Sequence, residues 1–262
     1  MKILAFDISS SNTGWAFLEL KKLKVGYTIS KHEYGNIQPS MTMEQCQKIY
    51  FFGNRIKELL EKFEPDEVAF EEAILVMGHG FSTARSLSRL GGVGMYFAHQ
   101  FTKKEIFLYE PSKWKKQLGL NSRCHKVEVQ LKIVQDMKLL STDAYEKYTN
   151  QIQDEYKKLD LSEQVVEKEQ QQKIKLNDLK EKLKTENILK LNVKQVVDEL
   201  KAEQKKELTA LKEKLKKDKK KLAKEFDKNL VKIGTQIYSE TGVNFDAADA
   251  FGVGFCVVKE LL

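Results

Sequence analysis

The chain begins with two apolar runs that flank a polar turn. Residues 3–6 are all apolar, and Asp7 follows them directly. Residues 9–14 form a polar turn, and residues 15–18 are apolar again. A strand without polar alternation is usually buried on both faces, so this pattern predicts a β-hairpin with a buried first strand. A carboxylate at the end of such a strand needs a neutralising partner, either a metal ion or a backbone or lysine group.

Strands and helices then alternate as far as residue 140. Glu71 and Glu72 stand at the C-terminal end of a short strand, and glycines and alanines crowd the next helix. We expect a Thr42–Gln45 capping box to begin the first helix. The predicted elements are a strand over 24–37, a helix over 42–63, a strand over 66–72, a loop over 73–82, a helix over 83–101, a strand over 106–109, a basic stretch over 112–123 and a helix from Cys124.

Residues 141–233 differ sharply from the rest in composition. Residues 143–232 contain 24 Lys, no Arg and 19 acidic residues, without glycine or proline. Such sequence forms helices, and its apolar residues have coiled-coil spacing. The regularity breaks over 185–192, which leaves two arms of similar length and favours an antiparallel helical hairpin over one long rod. Seven lysines within 212–221 are either a solvated helix face or a surface for DNA phosphates.

The last predicted helix runs from Phe245 to Leu262, is capped by Asn244 and carries Asp246 and Asp249 three residues apart. This spacing places both carboxylates on one face. An acid at a helix N-terminus is favoured by the helix dipole alone, which would account for Asp246. Asp249 is harder to explain in that way, because its surroundings are apolar.

Asp7, Glu71, Asp246 and Asp249 therefore come from separate elements. Clustered carboxylates repel one another unless cations hold them, and hard oxygen ligands favour Mg²⁺ or Mn²⁺. Two such ions would activate a water molecule and stabilise the leaving oxygen of a phosphodiester. The element order is that of a ribonuclease H-like α/β fold, with a mixed sheet flanked by helices and an inserted helical hairpin.

The net charge of +7 and a pI near 9 are compatible with nucleic-acid binding. Three scattered cysteines favour a reducing compartment and argue against a disulfide scaffold or a zinc site. We find no signal peptide and no apolar run of membrane-spanning length, and we expect a cytoplasmic protein without membrane contact.

Four segments resemble, in order, the motifs of RuvC-type Holliday junction resolvases. They are ILAFDISSSNTGWAF, VAFEEAIL, YEPSKWKKQLG followed by HKVEVQ, and DAADAFGVGF. The resemblance covers about 1–140 and 234–262, which we expect to form the nuclease domain, with 141–233 as the insertion. Family members are homodimers from bacteria and their viruses that nick two opposed strands of a four-way junction and leave 5′ phosphates.

The resemblance implies that the four carboxylates are the catalytic metal ligands, with two Mg²⁺ ions for which Mn²⁺ can substitute. It also implies that Lys126 is catalytic and that Lys115 and Lys126 lie near the scissile phosphate and the DNA backbone. We further expect DNA contacts from Arg123 and His125, which stand beside Lys126. Arg85 and Arg89 either line a DNA channel or pair with surface acids, and Trp114 is expected to be a packing anchor.

The sequence departs from the family in three respects. The family has an aromatic residue after the catalytic Glu, where this chain has Ile74 or Leu75, although Phe81 could substitute. The helical insertion is foreign to ordinary members, and it could extend a dimer, grip DNA or recruit a protein. Glu72 beside Glu71 leaves the second ligand ambiguous, and strand alternation favours Glu71.

Three other functions are alternatives to junction resolution. A nuclease for forks, flaps and other branched DNA would have the same fold and acids. A catalytically silent DNA-binding scaffold built on the coiled coil would have no electrostatic reason to retain four clustered carboxylates. An actin-like or sugar-kinase-like ATPase would need further glycine-rich phosphate motifs and a second half-domain, which the sequence lacks.

Overall fold

The computed structural model describes residues 1–24, 26–72, 81–159, 174, 213, 217 and 220–261. The strands are β1 (Lys2–Asp7), β2 (Thr13–Lys22), β3 (Tyr27–Ile37), β4 (Glu67–Glu71) and β5 (Phe107–Tyr109). The helices are α1 (Gln45–Phe63), α2 (Phe81–Thr102), α3 (Pro111–Gln117), α4 (Lys126–Asp136), α5 (Thr142–Leu159), α6 (220–241) and α7 (Phe245–Glu260).

The strands form one mixed sheet in the order β3-β2-β1-β4-β5. The three N-terminal strands are antiparallel neighbours, whereas β4 pairs in parallel with both β1 and β5. This arrangement confirms the predicted mixed sheet flanked by helices. It also places the carboxyl ends of β1, β4 and β5 at one edge of the sheet.

One face of the sheet is covered by α1 and α2. Their apolar stripes enclose a core of aromatic and aliphatic side chains from β1, β2 and β4. Phe6 and Phe70 stack at 5.0 Å, and Phe17 stacks on Phe63 at 4.3 Å. These contacts determine which side chains of each strand face α1 and α2, and the alternate residues face the opposite side.

The opposite face is covered by α7, which packs on β1 and β2 and is flanked by α3 and α4. Glycines allow this close approach. A Cβ atom at Gly254 would lie 3.1 Å from Leu18 Cδ1 and 3.4 Å from Ala5 Cβ. The acidic helix is therefore the central helix of the second layer, directly over the strand that ends in Asp7.

Two predicted helix starts need correction. The box that begins α1 is formed by Glu44 and Gln47, with the Glu44 amide donating to Gln47 Oε1 at 3.0 Å. Thr42 instead shares a hydrogen bond with Ser40 at 2.9 Å, so its hydroxyl is engaged before the helix begins. Helix α4 begins at Lys126 rather than near Cys124, because His125 and Glu128 form its capping box.

The chain divides into two compact units, Met1–Tyr148 with Ile233–Leu262, and Thr149–Lys232. In the second unit, the rings of Tyr156 and Phe226 meet edge to face at 5.0 Å, and Asn229 donates to Glu155 at 3.0 Å. Most of 160–219 lies outside the described residues, including the predicted break at 185–192. The antiparallel hairpin and the domain limits therefore stay predictions.

Candidate active site

The parallel pairing of β1 and β4 brings Asp7 and Glu71 together. Phe6 lies opposite Phe70 in the register, so the next residue of each strand is one of these two acids. Because the phenylalanines face α1 and α2, alternation directs Asp7 and Glu71 towards α7. Glu72, one residue further on, is exposed to solvent. The geometry therefore places Glu71 with Asp7 and turns Glu72 away.

The N-terminal turn of α7 carries the other two acids to the same place. Asn244 caps the helix, with its Oδ1 accepting from the Ala247 amide at 2.8 Å and its Nδ2 donating to Asn36 at 2.6 Å. Asp249 is buried, with 7% of its side chain exposed, and Asp246 is partly exposed at 26%. Their three-residue spacing directs both carboxylates to one face, as predicted from the sequence.

Gly14 determines how closely α7 approaches the sheet. This residue pairs with Asp7 across the hairpin, and a Cβ atom there would lie 2.0 Å from the carbonyl oxygen of Asp246. Only glycine leaves room for this backbone contact. The first residues of β2 thus provide the surface on which the acidic helix packs.

Two lysines face the acids. Lys126 Nζ lies 3.0 Å from Asp249 Oδ2 and 3.4 Å from Asp246 Oδ1. Burial alone would lower the pKa of Lys126, but the charges of Asp249, Asp7 and Asp246 outweigh it and raise the pKa. Lys115, on α3, is close enough to lower the pKa of Glu71 and Asp249. Both lysines are therefore charged neighbours of the carboxylate cluster.

The carboxylates resist simultaneous ionisation. Burial, followed by the charges of Glu71 and Asp249, raises the pKa of Asp7 well above its ordinary value. Burial and the charge of Asp249 raise the pKa of Glu71 to about 7. Burial also raises the pKa of Asp249, although Lys126 opposes this effect. Such a cluster binds cations favourably, since a cation removes the repulsion that raises these pKa values.

The donor set fits a hard divalent cation, because it consists of carboxylate oxygens. Asp249 Oδ1 is buried without a hydrogen-bond partner among the described residues, so one oxygen is left for a ligand. Within those ranges, no three His, Cys, Asp or Glu side chains are already gathered as a metal site. The ammonium group of Lys126 lies between two of the acids instead.

The geometry can be compared with known proteins. No family model matches the chain. The crossover junction endodeoxyribonuclease RuvC of Alkaliphilus metalliredigens is 32% identical over 114 residues, which are 40% of this chain and 68% of the relative. The chain belongs to the RuvC family. RuvC of Halothermothrix orenii is 25% identical over 130 residues, which are 50% of this chain and 74% of the relative.

Among solved structures, RuvC of Thermus thermophilus aligns with 18% identity and a TM-score of 0.42, covering 51% of this chain and 78% of that one. The resemblance of this sequence to RuvC-type enzymes is thus confirmed at the level of the family by the curated relatives. Within the described residues, no helix is both long and apolar enough to cross a membrane.

Two neutral donors that the sequence did not point to also contact the acids of the cluster. Trp114 Nε1 donates to Glu71 Oε2 at 2.8 Å, and Asn12 Nδ2 donates to Asp246 Oδ2. Trp114 was expected only to pack, and it is indeed buried with 1% exposure. The donors and acceptors are far apart in sequence, so no local pattern could have paired them. The sequence offered only one signal: Trp114 and Asn12 each carry a polar side-chain atom and lie in segments predicted to form the site.

The other residues predicted to bind DNA occupy different positions. Arg123 is exposed in the turn before α4, and Arg85 and Arg89 are exposed on α2. His125 has a structural role that was not predicted, because its Nδ1 accepts from the Val127 amide at 3.2 Å and caps α4. Contact of these four residues with DNA stays a prediction. Ile74 and Leu75 lie outside the described residues.

Proposed function

We propose that this RuvC-family protein is a Mg²⁺-dependent endonuclease that resolves four-way DNA junctions by paired nicks with 5′-phosphate ends. The carboxylate cluster is the main support. Asp7, Glu71, Asp246 and Asp249 come from three elements of the fold and meet where burial and mutual repulsion raise the pKa of the first two. The names of the curated relatives, crossover junction endodeoxyribonucleases, support the choice of substrate.

In this proposal the four carboxylates hold the metal ions, which can also be Mn²⁺. The ions supply the activation of a water molecule and the stabilisation of the leaving oxygen of a phosphodiester. Asp7 and Asp249 are buried next to the sheet, away from bulk water. The more exposed Asp246 and Lys126 face the solvent, where a DNA backbone can approach.

The two lysines neutralise charge in the proposed reaction. Lys126, which already pairs with Asp246 and Asp249, would exchange these partners for a phosphate oxygen when metal ions occupy the acids. Lys115, whose charge acts on both Glu71 and Asp249, would contact the DNA backbone. Exposed phosphate contacts make DNA binding depend strongly on salt.

Two opposed strands of a junction require two active sites, and this chain carries one set of four acids. We therefore propose a homodimer, which places one site at each strand. The nuclease domain would comprise 1–140 and 234–262, and the insertion 141–233 would be a helical hairpin that contacts DNA, the second subunit or another protein. We propose a cytoplasmic location in a bacterial or virus-infected cell, where such DNA is found.

Cleavage of a labelled four-way junction tests the proposal. In Mg²⁺ we expect symmetric paired nicks from the native protein and none from Asp7→Asn, with linear duplex, fork and flap substrates as controls. Equal cutting of every branched substrate would replace junction resolution with general branched-DNA cleavage. Binding without cutting in either Mg²⁺ or Mn²⁺ would contradict the nuclease proposal and favour a DNA-binding scaffold.

A further inference from the structure

Trp114 connects two of the elements that carry the acids. Its Nε1 donates to Glu71 Oε2, at the end of β4, at 2.8 Å. The six-membered part of its ring lies against the backbone of α7, where a Cβ atom at Gly252 would be 2.6 Å from Cε3 and 2.7 Å from Cζ3. Gly252 stands three residues after Asp249. One side chain therefore contacts both the strand of Glu71 and the helix of Asp249.

The position of this ring is well determined. Trp114 lies on α3, which begins with Pro111 at its first turn, and its backbone amide donates to the Glu110 carbonyl at 3.3 Å. The side chain is buried with 1% exposure. A buried indole has one N–H group and no acceptor, so its hydrogen bond can have only one direction. The donor is therefore aimed at Glu71 by packing before any ligand binds.

We propose that Trp114 is a positioning residue that orients the Glu71 carboxylate for metal binding by holding its Oε2 through the indole N–H. This inference rests on the proposed function for the identity of the cation. A hydrogen-bonded neighbour that orients a ligating carboxylate strengthens metal binding, because the carboxylate then loses less conformational freedom when the metal ion binds. A neutral donor also leaves the negative charge of the carboxylate for the metal ion.

Lys115 cannot replace this donor. Its Nζ lies 5.4 Å from the centre of the Trp114 ring, and it acts on Glu71 through its charge. A lysine has a flexible stem and three rotating donors, so it attracts a carboxylate without defining one orientation. The indole supplies direction, and the lysine supplies charge.

The test removes the indole N–H without removing the ring. Benzothienylalanine at position 114 has a sulfur atom in place of the N–H group and fills nearly the same volume. Trp114→Phe is a second variant, encoded genetically, that also lacks the donor. Trp15→Phe is the matched control, because Trp15 packs on Phe63 at 5.5 Å on the other face of the sheet.

We expect the benzothienyl protein to bind Mn²⁺ roughly 10-fold more weakly in calorimetry without DNA, the lower end of the effect of losing such a neighbour. Its kcat on the junction at a fixed Mg²⁺ concentration should fall to a similar extent, while KM for the junction changes by less than about twofold. Trp15→Phe should retain parental metal affinity and kcat. Metal-free thermal unfolding of the benzothienyl protein should stay cooperative but with a lower Tm than the parent, because Glu71 Oε2 loses its hydrogen-bond donor.

Fluorescence provides a readout that does not depend on cleavage. The chain has two tryptophans, so Trp15→Phe leaves Trp114 as the sole reporter. We expect Mg²⁺ to shift its emission, and we expect the shift to disappear when Glu71→Gln is added. An unchanged Mn²⁺ affinity and kcat in the benzothienyl protein would overturn the proposal.

Failure of this inference can be told apart from failure of the proposed function. If the parent cuts no junction but its Trp114 emission responds to Mg²⁺ through Glu71, junction resolution is wrong and the positioning role stands. If the parent cuts junctions and the emission is insensitive to Mg²⁺, the positioning role is wrong. A weaker Trp114→Phe protein beside an unimpaired benzothienyl protein would likewise overturn it, since only packing would then matter.

Discussion

Replacing Glu71 with Gln should stabilise the metal-free protein at neutral and alkaline pH. Burial, followed by the charge of Asp249, raises the pKa of Glu71 from 4.5 to about 7. An acid whose pKa is higher in the folded state binds its proton more tightly there, so stability decreases as pH rises from the unfolded pKa to the folded one. At about 1.4 kcal/mol per unit, ionisation of Glu71 costs about 3 kcal/mol above this window.

Urea unfolding in EDTA at about pH 4 and about pH 8 measures this cost, since the two values lie on either side of the window. We expect the free energy of unfolding of the parent to fall by about 3 kcal/mol more than that of Glu71→Gln. The variant should keep part of the slope, because the pKa values of Asp7 and Asp249 are raised as well. Its side-chain oxygen can still accept from Trp114, so packing is preserved.

Glu72→Gln is the matched control, because this neighbouring acid is exposed and its removal should leave the parental pH dependence unchanged. Mg²⁺ should stabilise the parent and the control but have little effect on Glu71→Gln. If the free energy of unfolding changed equally with pH in the parent and in Glu71→Gln, the prediction would be wrong. Burial and repulsion would then not disfavour the ionised Glu71 carboxylate.

Two further substitutions test the neighbours of the cluster. Gly14→Ala would place a Cβ atom 2.0 Å from the Asp246 carbonyl oxygen. We therefore expect the free energy of unfolding in urea to fall by about 3 kcal/mol and junction cleavage to be lost. Gly92→Ala is the control and should preserve both, because nothing lies near its Cβ position. Lys126→Met removes the cation beside Asp249, and because that lysine is half exposed we expect a loss of about 1 kcal/mol in EDTA. Thermal unfolding should show that Mg²⁺ reduces this loss; an equal loss with and without Mg²⁺ would contradict it.

Local patterns in the sequence were sufficient for much of the fold. The unbroken apolar run of β1 and the 3.6-residue spacing of α1 identify their elements, because burial of one face repeats with the geometry of the element. The four acids were also visible, since Asp7 and Asp249 stand in apolar surroundings where a charge is costly. Details of helix starts were less visible, as several polar residues near Gln45 could have provided the cap.

The arrangement around the acids depended on contacts between distant parts of the chain. Strand alternation already favoured Glu71 over Glu72, and the pairing of β4 with β1 adds that Glu71 lies beside Asp7. The role of His125 as a cap depends on where α4 begins, and the sequence suggested only a positive neighbourhood.

Local periodicity and side-chain chemistry were enough to predict the element order, the distinct composition of 141–233 and four candidate metal-binding carboxylates, because these features depend on residues close together in the chain. The hydrogen bonds from Trp114 to Glu71 and from Asn12 to Asp246, and the close approach of α7 to Gly14, are visible only in the folded structure. A hydrogen bond or a close backbone contact depends on where its atoms lie in the folded chain, so a local sequence pattern does not predict it. Those positions follow from the sheet register and from the packing of α7. They cannot be deduced from residues that are neighbours in the chain.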